Sequence, residues 1–514
     1  MKKFLGSAGF LAAAGVISKL LGAVHKLPLM AMLGAEGTGL YHLVFPMFAA
    51  VLAVTSGGVT QAVSRSAARE GGCAPASLKA GLVMTAFAGT AGSLFLGAAS
   101  GIMAKLQGNH EAACAYLALA PAVLPSCVIA ALRGWWQGRR NMFPTAVSQL
   151  AEQTVKLFAG LALAYALRPR GIEYAVAGAI GGITVSEFAA AAALLAAMFA
   201  ARKRPTGPVS FRPALISTVK DALPGSLSSL VMPLLQLIDS VMIVNLLIKC
   251  GAGTEGSTAL YGVSAASVGA VSGMPPVFTA AYSAALLPRL CGREDEYAKR
   301  RAAGKAMSAA FLAGIAGAAI MYAFADEIVG VLYPSGLEAA EHAAASDSLR
   351  LSASGTLCLC LLQTVTTVLQ SQGRAYIPAL ILLGSGALKA CLTAVLVPVM
   401  GVQGSAAATS AAYAAALCAD AAAARGIIFG GTDIRNVLKS VAAVAAGCAA
   451  GVAAKSLPVE GCFGTCLSCG AVFLLTSLLV LLATDAFGIM GMIEEKVMRS
   501  KLFGGSSAKN SKKY

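Results

Sequence analysis

Charge is scarce in this 514-residue sequence: Asp, Glu, Lys and Arg make up 12% of it. A soluble domain carries about 25%, so a fold with a solvated surface on every side is excluded. Strict apolar/polar alternation is also lacking, which argues against a membrane β-barrel. There are four histidines, and none is spaced as HxxxH. No phosphate-cradling glycine loop, nucleophilic triad or metal-ligand spacing occurs, so neither an enzyme nor a metal centre is expected. Cysteine is plentiful, at 13 residues. Most of these lie in apolar segments, as Cys358, Cys360 and Cys391 do, where a thiol packs as a small hydrophobe. Cys462, Cys466 and Cys469 contain one CxxC with no second pair, too little for a zinc site. The basic start at Lys2 and Lys3 leads into an apolar run without a small-residue cleavage site, and reads as a first spanning helix rather than a signal peptide.

What the sequence does have is apolar length. Hydrophobic residues form 57% of it, and the mean hydropathy is +0.75. A bilayer core is crossed by about 20 apolar residues in a helix. The runs divide into about fourteen such spans: 8–33, 38–64, 80–104, 112–132, 144–166, 173–200, 222–248, 258–288, 303–325, 350–370, 377–399, 402–424, 437–455 and 463–484. The expected fold is an all-α polytopic membrane protein. The net charge of +16 would suggest nucleic acid in a soluble protein. Here the basic residues lie in alternate loops, so no nucleic-acid partner is expected. With the N-terminus inside, roughly 29 of the 39 Lys and Arg residues fall in inward loops and about 6 in outward ones. Both termini are therefore expected in the cytoplasm.

The chain also repeats. Gln137-Gly138-Arg139-Arg140, with Pro144, leads into a span containing Lys156 and then the turn at Gly171. About 235 residues later, Gln372-Gly373-Arg374, with Pro378, leads into a span containing Lys389 and then the turn at Gly401. Proline suits a first helical turn because its missing N–H is unpaired there anyway. Both copies enter from the same side, so the repeats are parallel. The expected division is an N-terminal six-helix lobe over 1–210, a C-terminal six-helix lobe over 211–430, two further helices over 431–490 and a basic tail over 491–514.

Residues 18–29, Ser-Lys-Leu-Leu-Gly-Ala-Val-His-Lys-Leu-Pro-Leu, followed by Leu33-Gly34-Ala35-Glu36-Gly37, resemble the first-helix signature of the stage V sporulation protein B branch of lipid flippases. Arg133-Gly134-Trp135-Trp136-Gln137-Gly138-Arg139, Pro144, Glu152-Gln153, Leu237-Ile238-Asp239-Ser240, Leu260-Tyr261-Gly262 and Leu287-Pro288 agree in order and spacing. This branch sits with the MurJ-type lipid II flippases in the multidrug/oligosaccharidyl-lipid/polysaccharide exporter superfamily. The resemblance implies fourteen helices, a basic cavity and alternating-access export of an undecaprenyl-diphosphate-linked sugar, lipid II above all, for peptidoglycan and cell-wall synthesis. It implies a lipid-tail groove on helices 13 and 14. It also implies a bacterial cytoplasmic-membrane monomer among membrane lipids, working with cell-wall synthesis proteins. A multidrug exporter, a polysaccharide repeat-unit flippase and a non-transporting scaffold remain alternatives.

Charge at membrane depth costs about 2.5–3.5 kcal/mol on insertion scales, so it usually faces a cavity or a partner. Lys19 and Lys26 are seven residues apart and share a helix face, which His25 adjoins. Two ammonium groups suit a diphosphate. The bland readings are a Lys26 that snorkels to an interface and a His25 that merely packs. The resemblance places cavity cations at Lys19 and at His25 or Lys26. It also expects arginines in the second and eighth spans, where this sequence has no Lys or Arg and only His42 is weakly basic. Glu152 and Lys156 stand at i and i+4, the orientation of a helical ion pair. Asp239 reads as a lone mid-span carboxylate, a site for a cation or proton. The resemblance makes it part of a sodium site with Thr393 and Thr409 as nearest matches. No other cofactor is expected beyond that sodium or proton coupling. Lys389 reads as a lobe-interface or loop contact, Glu187 has no assigned role, and Trp135 and Trp136 read as interfacial belt anchors.

Overall fold

Apolar segments of this length leave the backbone one way to satisfy its N–H and C=O groups in hydrocarbon, which is to bond within the segment as a helix. A computed structural model shows that outcome. It describes residues 2–69, 75–200, 211–291, 296–334, 336–372, 374, 376–425, 434–456 and 461–484. The described chain is all-helical, and thirteen stretches are long and apolar enough to cross a membrane. The basic tail lies outside the described residues.

The N-terminal half contains α1 (Lys2–Ser56), α2 (Val59–Arg69), α3 (Pro75–Leu106), α4 (Ala112–Leu119), α5 (Val123–Gly138), α6 (Phe143–Leu167), α7 (Ile172–Ala200), α8 (Phe211–Lys249) and α9 (Thr254–Val271). The remainder contains α10 (Met274–Cys291), α11 (Glu296–Ala323), α12 (Ala325–Leu332), α13 (Ala339–Ser371), α14 (Tyr376–Met400), α15 (Gln403–Ala423), α16 (Ile434–Ala453) and α17 (Cys462–Ala483). At 55 residues, α1 would run about 80 Å if straight, far beyond a bilayer core of about 30 Å. It is broken at Gly34, whose φ of 68° and ψ of −169° suit a residue without Cβ. The first two expected spans are the two arms of this broken helix.

The chain forms two compact units, and each runs through several segments. The first comprises 1–270, 332–348 and 386–408. Helix α8 packs on α1, α2 and α3 here, so this unit extends beyond the N-terminal half of the repeat. Its helices touch backbone to backbone where glycines meet. A Cβ on Gly182 of α7 would fall 2.3 Å from Gly160 of α6, and one on Gly262 of α9 would fall 2.2 Å from Gly39 of α1. Small residues at such crossings replace the hydrophobic driving force that lipid does not supply. A buried polar knot fixes several of these helices. Gln107 donates to the Leu43 carbonyl (2.8 Å) and to Ser240 Oγ (2.9 Å), and it accepts from the Tyr116 hydroxyl (2.8 Å). Asn109 donates to Thr258 Oγ1 at 3.0 Å.

Trp135 and Trp136 belong to this core and not to an interfacial belt. They are 1% and 5% exposed and stack edge to face at 4.9 Å. They pack with Val63, Ala67, Leu132 and Leu194. Gly134 lies against the Thr60 carbonyl, so α2 and α5 approach too closely for the indoles to reach lipid.

The second unit comprises 271–331, 349–385 and 409–514. In it α16 and α17 pair through Gly447, which meets Phe473 and Ser477. Phe324 and Phe473 meet edge to face at 6.4 Å. Lys455 bonds Glu327 at 2.6 Å beside the same Phe324 ring. Cys462, Cys466 and Cys469 are free thiols.

Candidate functional site

Most charge buried at membrane depth in the first unit is gathered around α1, α5, α6 and α7. The Lys19 side chain lies outside the described residues. Six residues on, His25 is buried to 2% exposure, and its Nε2 has no hydrogen-bond partner among the described residues. It fits there because α6 presents Gly160, where a Cβ would stand 3.0 Å from that nitrogen. Lys26, partly buried, makes no hydrogen bond or ion pair among the described residues. Lys156 of α6 is in the same position and lies within Coulombic range of Lys26, His25 and His42. His42 stands against Tyr41 and Phe45, and its Nε2 is also buried without a partner. Thus α1 and α6 bring together two ammonium groups without an ion pair among the described residues and two imidazoles. Buried polar atoms in native proteins nearly always have partners, in protein or water; among the described residues no protein group supplies one to either Nε2.

The expected ion pair between Glu152 and Lys156 does not form. Glu152 Oε2 instead accepts from Arg133 Nη2 of α5 at 2.7 Å. Gln153 bonds its other oxygen at 3.2 Å, and Arg133 Nε donates to Ser148 at 3.0 Å. A planar guanidinium can serve a carboxylate and a hydroxyl together, which the lysine ammonium one turn away cannot match. Glu187 of α7 lies beside this pair, within range of Glu152, Arg133 and Lys156. It thus acquires an electrostatic setting. The arrangement yields a direct expectation. Arg133→Met, which strands a buried carboxylate, should lower stability by about 3–5 kcal/mol, whereas Lys156→Met should cost little or raise it. Melting curves of the purified variants check this, and equal losses would restore the helical pair.

Asp239 is not a lone carboxylate. Lys389 of α14 donates to its Oδ2, and the two side chains are 15% and 17% exposed. Lys389 is therefore no loop contact. Thr393, one turn further along α14, is buried with its Oγ1 unpartnered. Thr409 lies on α15 in the second unit. The sequence reading missed one residue altogether: Asp420 of α15, 1% exposed, accepts from Thr366 at 3.1 Å and leaves Oδ1 unpartnered. An Asp inside an Ala-rich spanning run is itself a sequence signal. Between spans, Glu111 is pushed above the usual carboxylate range by burial and by repulsion from Glu173 and Glu255. These carboxylates give the first unit an acidic end.

Residues 4–291 match the family model described as polysaccharide biosynthesis protein. Stage V sporulation protein B of Bacillus subtilis (strain 168) is 26% identical over 352 residues, 65% of this chain and 67% of that protein. Among solved structures, lipid II flippase MurJ in an inward closed conformation superposes with a TM-score of 0.69, at 14% identity over 94% of this chain and 99% of that one. An inward-facing multidrug resistance MATE family transporter of the MOP superfamily reaches 0.65, at 17% identity over 80% of this chain and 94% of that one. The two structures share the fold.

Proposed function

We propose, from the premise that this chain belongs to the polysaccharide biosynthesis protein family, that it is a flippase for an undecaprenyl-diphosphate-linked sugar. Lipid II is the most concrete candidate, carried by alternating access for peptidoglycan and cell-wall synthesis. The observation that carries this reading is the pair Lys26 and Lys156, neither ion-paired among the described residues, with His25 and His42 beside them, inside apolar membrane-spanning sequence. A diphosphate brings the negative charge and acceptor oxygens that such a cluster lacks. The acidic end around Glu111 would repel the same headgroup and favour its release. On this proposal the chain sits in a bacterial cytoplasmic membrane with both termini in the cytoplasm, a reading that the excess of basic residues in alternate loops supports.

A cation-coupled multidrug exporter, the reading closest to the MATE likeness, wants an acidic site for cationic cargo. The lysines oppose it. Native mass spectrometry of the chain purified in mild detergent is expected to retain a lipid diphosphate sugar, and proteoliposomes to translocate a fluorescent one. Retention of bulk phospholipid alone, with no translocation, would reject the proposal.

A further inference from the structure

A carboxylate held at membrane depth needs a counter-charge. Three kinds are available: a proton, an exchangeable cation from solution, or a fixed side chain. At Asp239 the third is in place. Lys389 lies 150 residues away in sequence, yet its ammonium sits on Oδ2 of that carboxylate. The geometry around it is built for this. Four residues before Asp239, Leu235 packs onto Gly386, three residues before Lys389, and a Cβ on that glycine would stand 2.2 Å from the leucine's Cδ2. Helices α8 and α14 therefore meet closely one turn from the pair. The next residue, Ser240, is fully buried and held by Gln107, which fixes the rotation of α8.

The resemblance assigns a sodium ion to Asp239, and the residues present do not fit one. An alkali cation on this carboxylate would have to stand against the Lys389 ammonium, two positive charges around one negative group. A lysine ammonium is itself a compact point charge that donates to oxygen. We propose that Lys389 is a tethered resident cation that closes the Asp239 slot to sodium, so that this chain works without sodium at that position. Removing the ammonium would reopen an alkali-cation site on Asp239. The inference rests on the flippase reading only where it concerns translocation. The charge arrangement stands independently of it.

The test uses the full-length purified chain, melted in sodium, potassium or choline chloride at equal ionic strength. The wild type is expected to melt at the same temperature in all three. Lys389→Ser should gain a saturable rise in melting temperature in sodium, and the further change Asp239→Asn should abolish that gain. Lys389→Arg keeps the charge and should stay indifferent to sodium. A wild type stabilised saturably by sodium, with the effect lost in Asp239→Asn, would overturn the proposal. So would a folded Lys389→Ser that ignores sodium. Should Lys389→Ser fail to fold, the wild-type and Lys389→Arg comparisons still decide. In proteoliposomes, imposed sodium gradients should leave wild-type flipping unchanged. Absence of flipping altogether would count against the flippase reading and leave the melting result standing.

Discussion

Asp239→Asn and Lys389→Met should each lower stability by about 3–5 kcal/mol, and the double variant should regain most of that loss. Breaking a buried pair leaves one charge without a partner in a low-dielectric interior, whereas removing both leaves no charge to strand. The two side chains are 15% and 17% exposed, so water can offset only part of the penalty. The membrane adds to it, because a charge at the centre of a spanning helix is itself costly. A double-mutant cycle isolates the coupling. Denaturation of the four proteins in one detergent supplies it, with circular dichroism to show that helix content is kept. Strictly additive losses would mean that the two groups do not interact in the folded protein.

The helices were legible in the sequence for a simple reason. In lipid, apolar length and helical hydrogen bonding are nearly one statement, so the runs locate the helices, although α8 and α13 begin at 211 and 339, well before the expected 222 and 350, and the expected 258–288 divides into α9 and α10. Gly34 stood in plain view at the end of a motif, and its positive φ is what breaks α1 into two arms. Partnerships between helices were another matter. Helical periodicity reveals neighbours at i+4, and so it offered Lys156 to Glu152. The closer partner, Arg133, comes from the preceding helix, 19 residues upstream. Asp239 looked alone because its partner is 150 residues away. Nothing in a single sequence ties the two together. A place beside a basic loop suggests belt residues at Trp135 and Trp136, but exposure is a property of packing. A glycine beside them lets α2 close over the indoles. The compact units likewise depend on which helices touch: α8 lies in the second half of the repeat but packs on α1, α2 and α3.

The basic cluster supports the other large effect. Lys26 and Lys156 come from different helices, neither has an ion partner among the described residues, and each lies in the other's field. Holding two like charges together in apolar surroundings is unfavourable unless a ligand compensates them. Lys26→Ala and Lys156→Ala should therefore each weaken binding of an undecaprenyl-diphosphate sugar. A hydrogen bond to a charged group contributes about 1.5–3 kcal/mol, so each loss should be roughly ten-fold or more. The double variant should lose about a hundred-fold or more if the two ammonium groups act on one diphosphate. Stability should move the other way. Removing either lysine relieves repulsion, so melting temperatures without ligand should hold or rise. Arginine at either position keeps the charge and should retain part of the affinity, although its planar fork is not equivalent to an ammonium. Titration of a lipid diphosphate into each purified variant, followed by intrinsic fluorescence or native mass spectrometry, measures the affinities. Melting without ligand separates binding from folding. Unaltered affinity in both single variants, or a parallel loss of affinity and stability, would show that these lysines serve the fold and that the headgroup is held elsewhere.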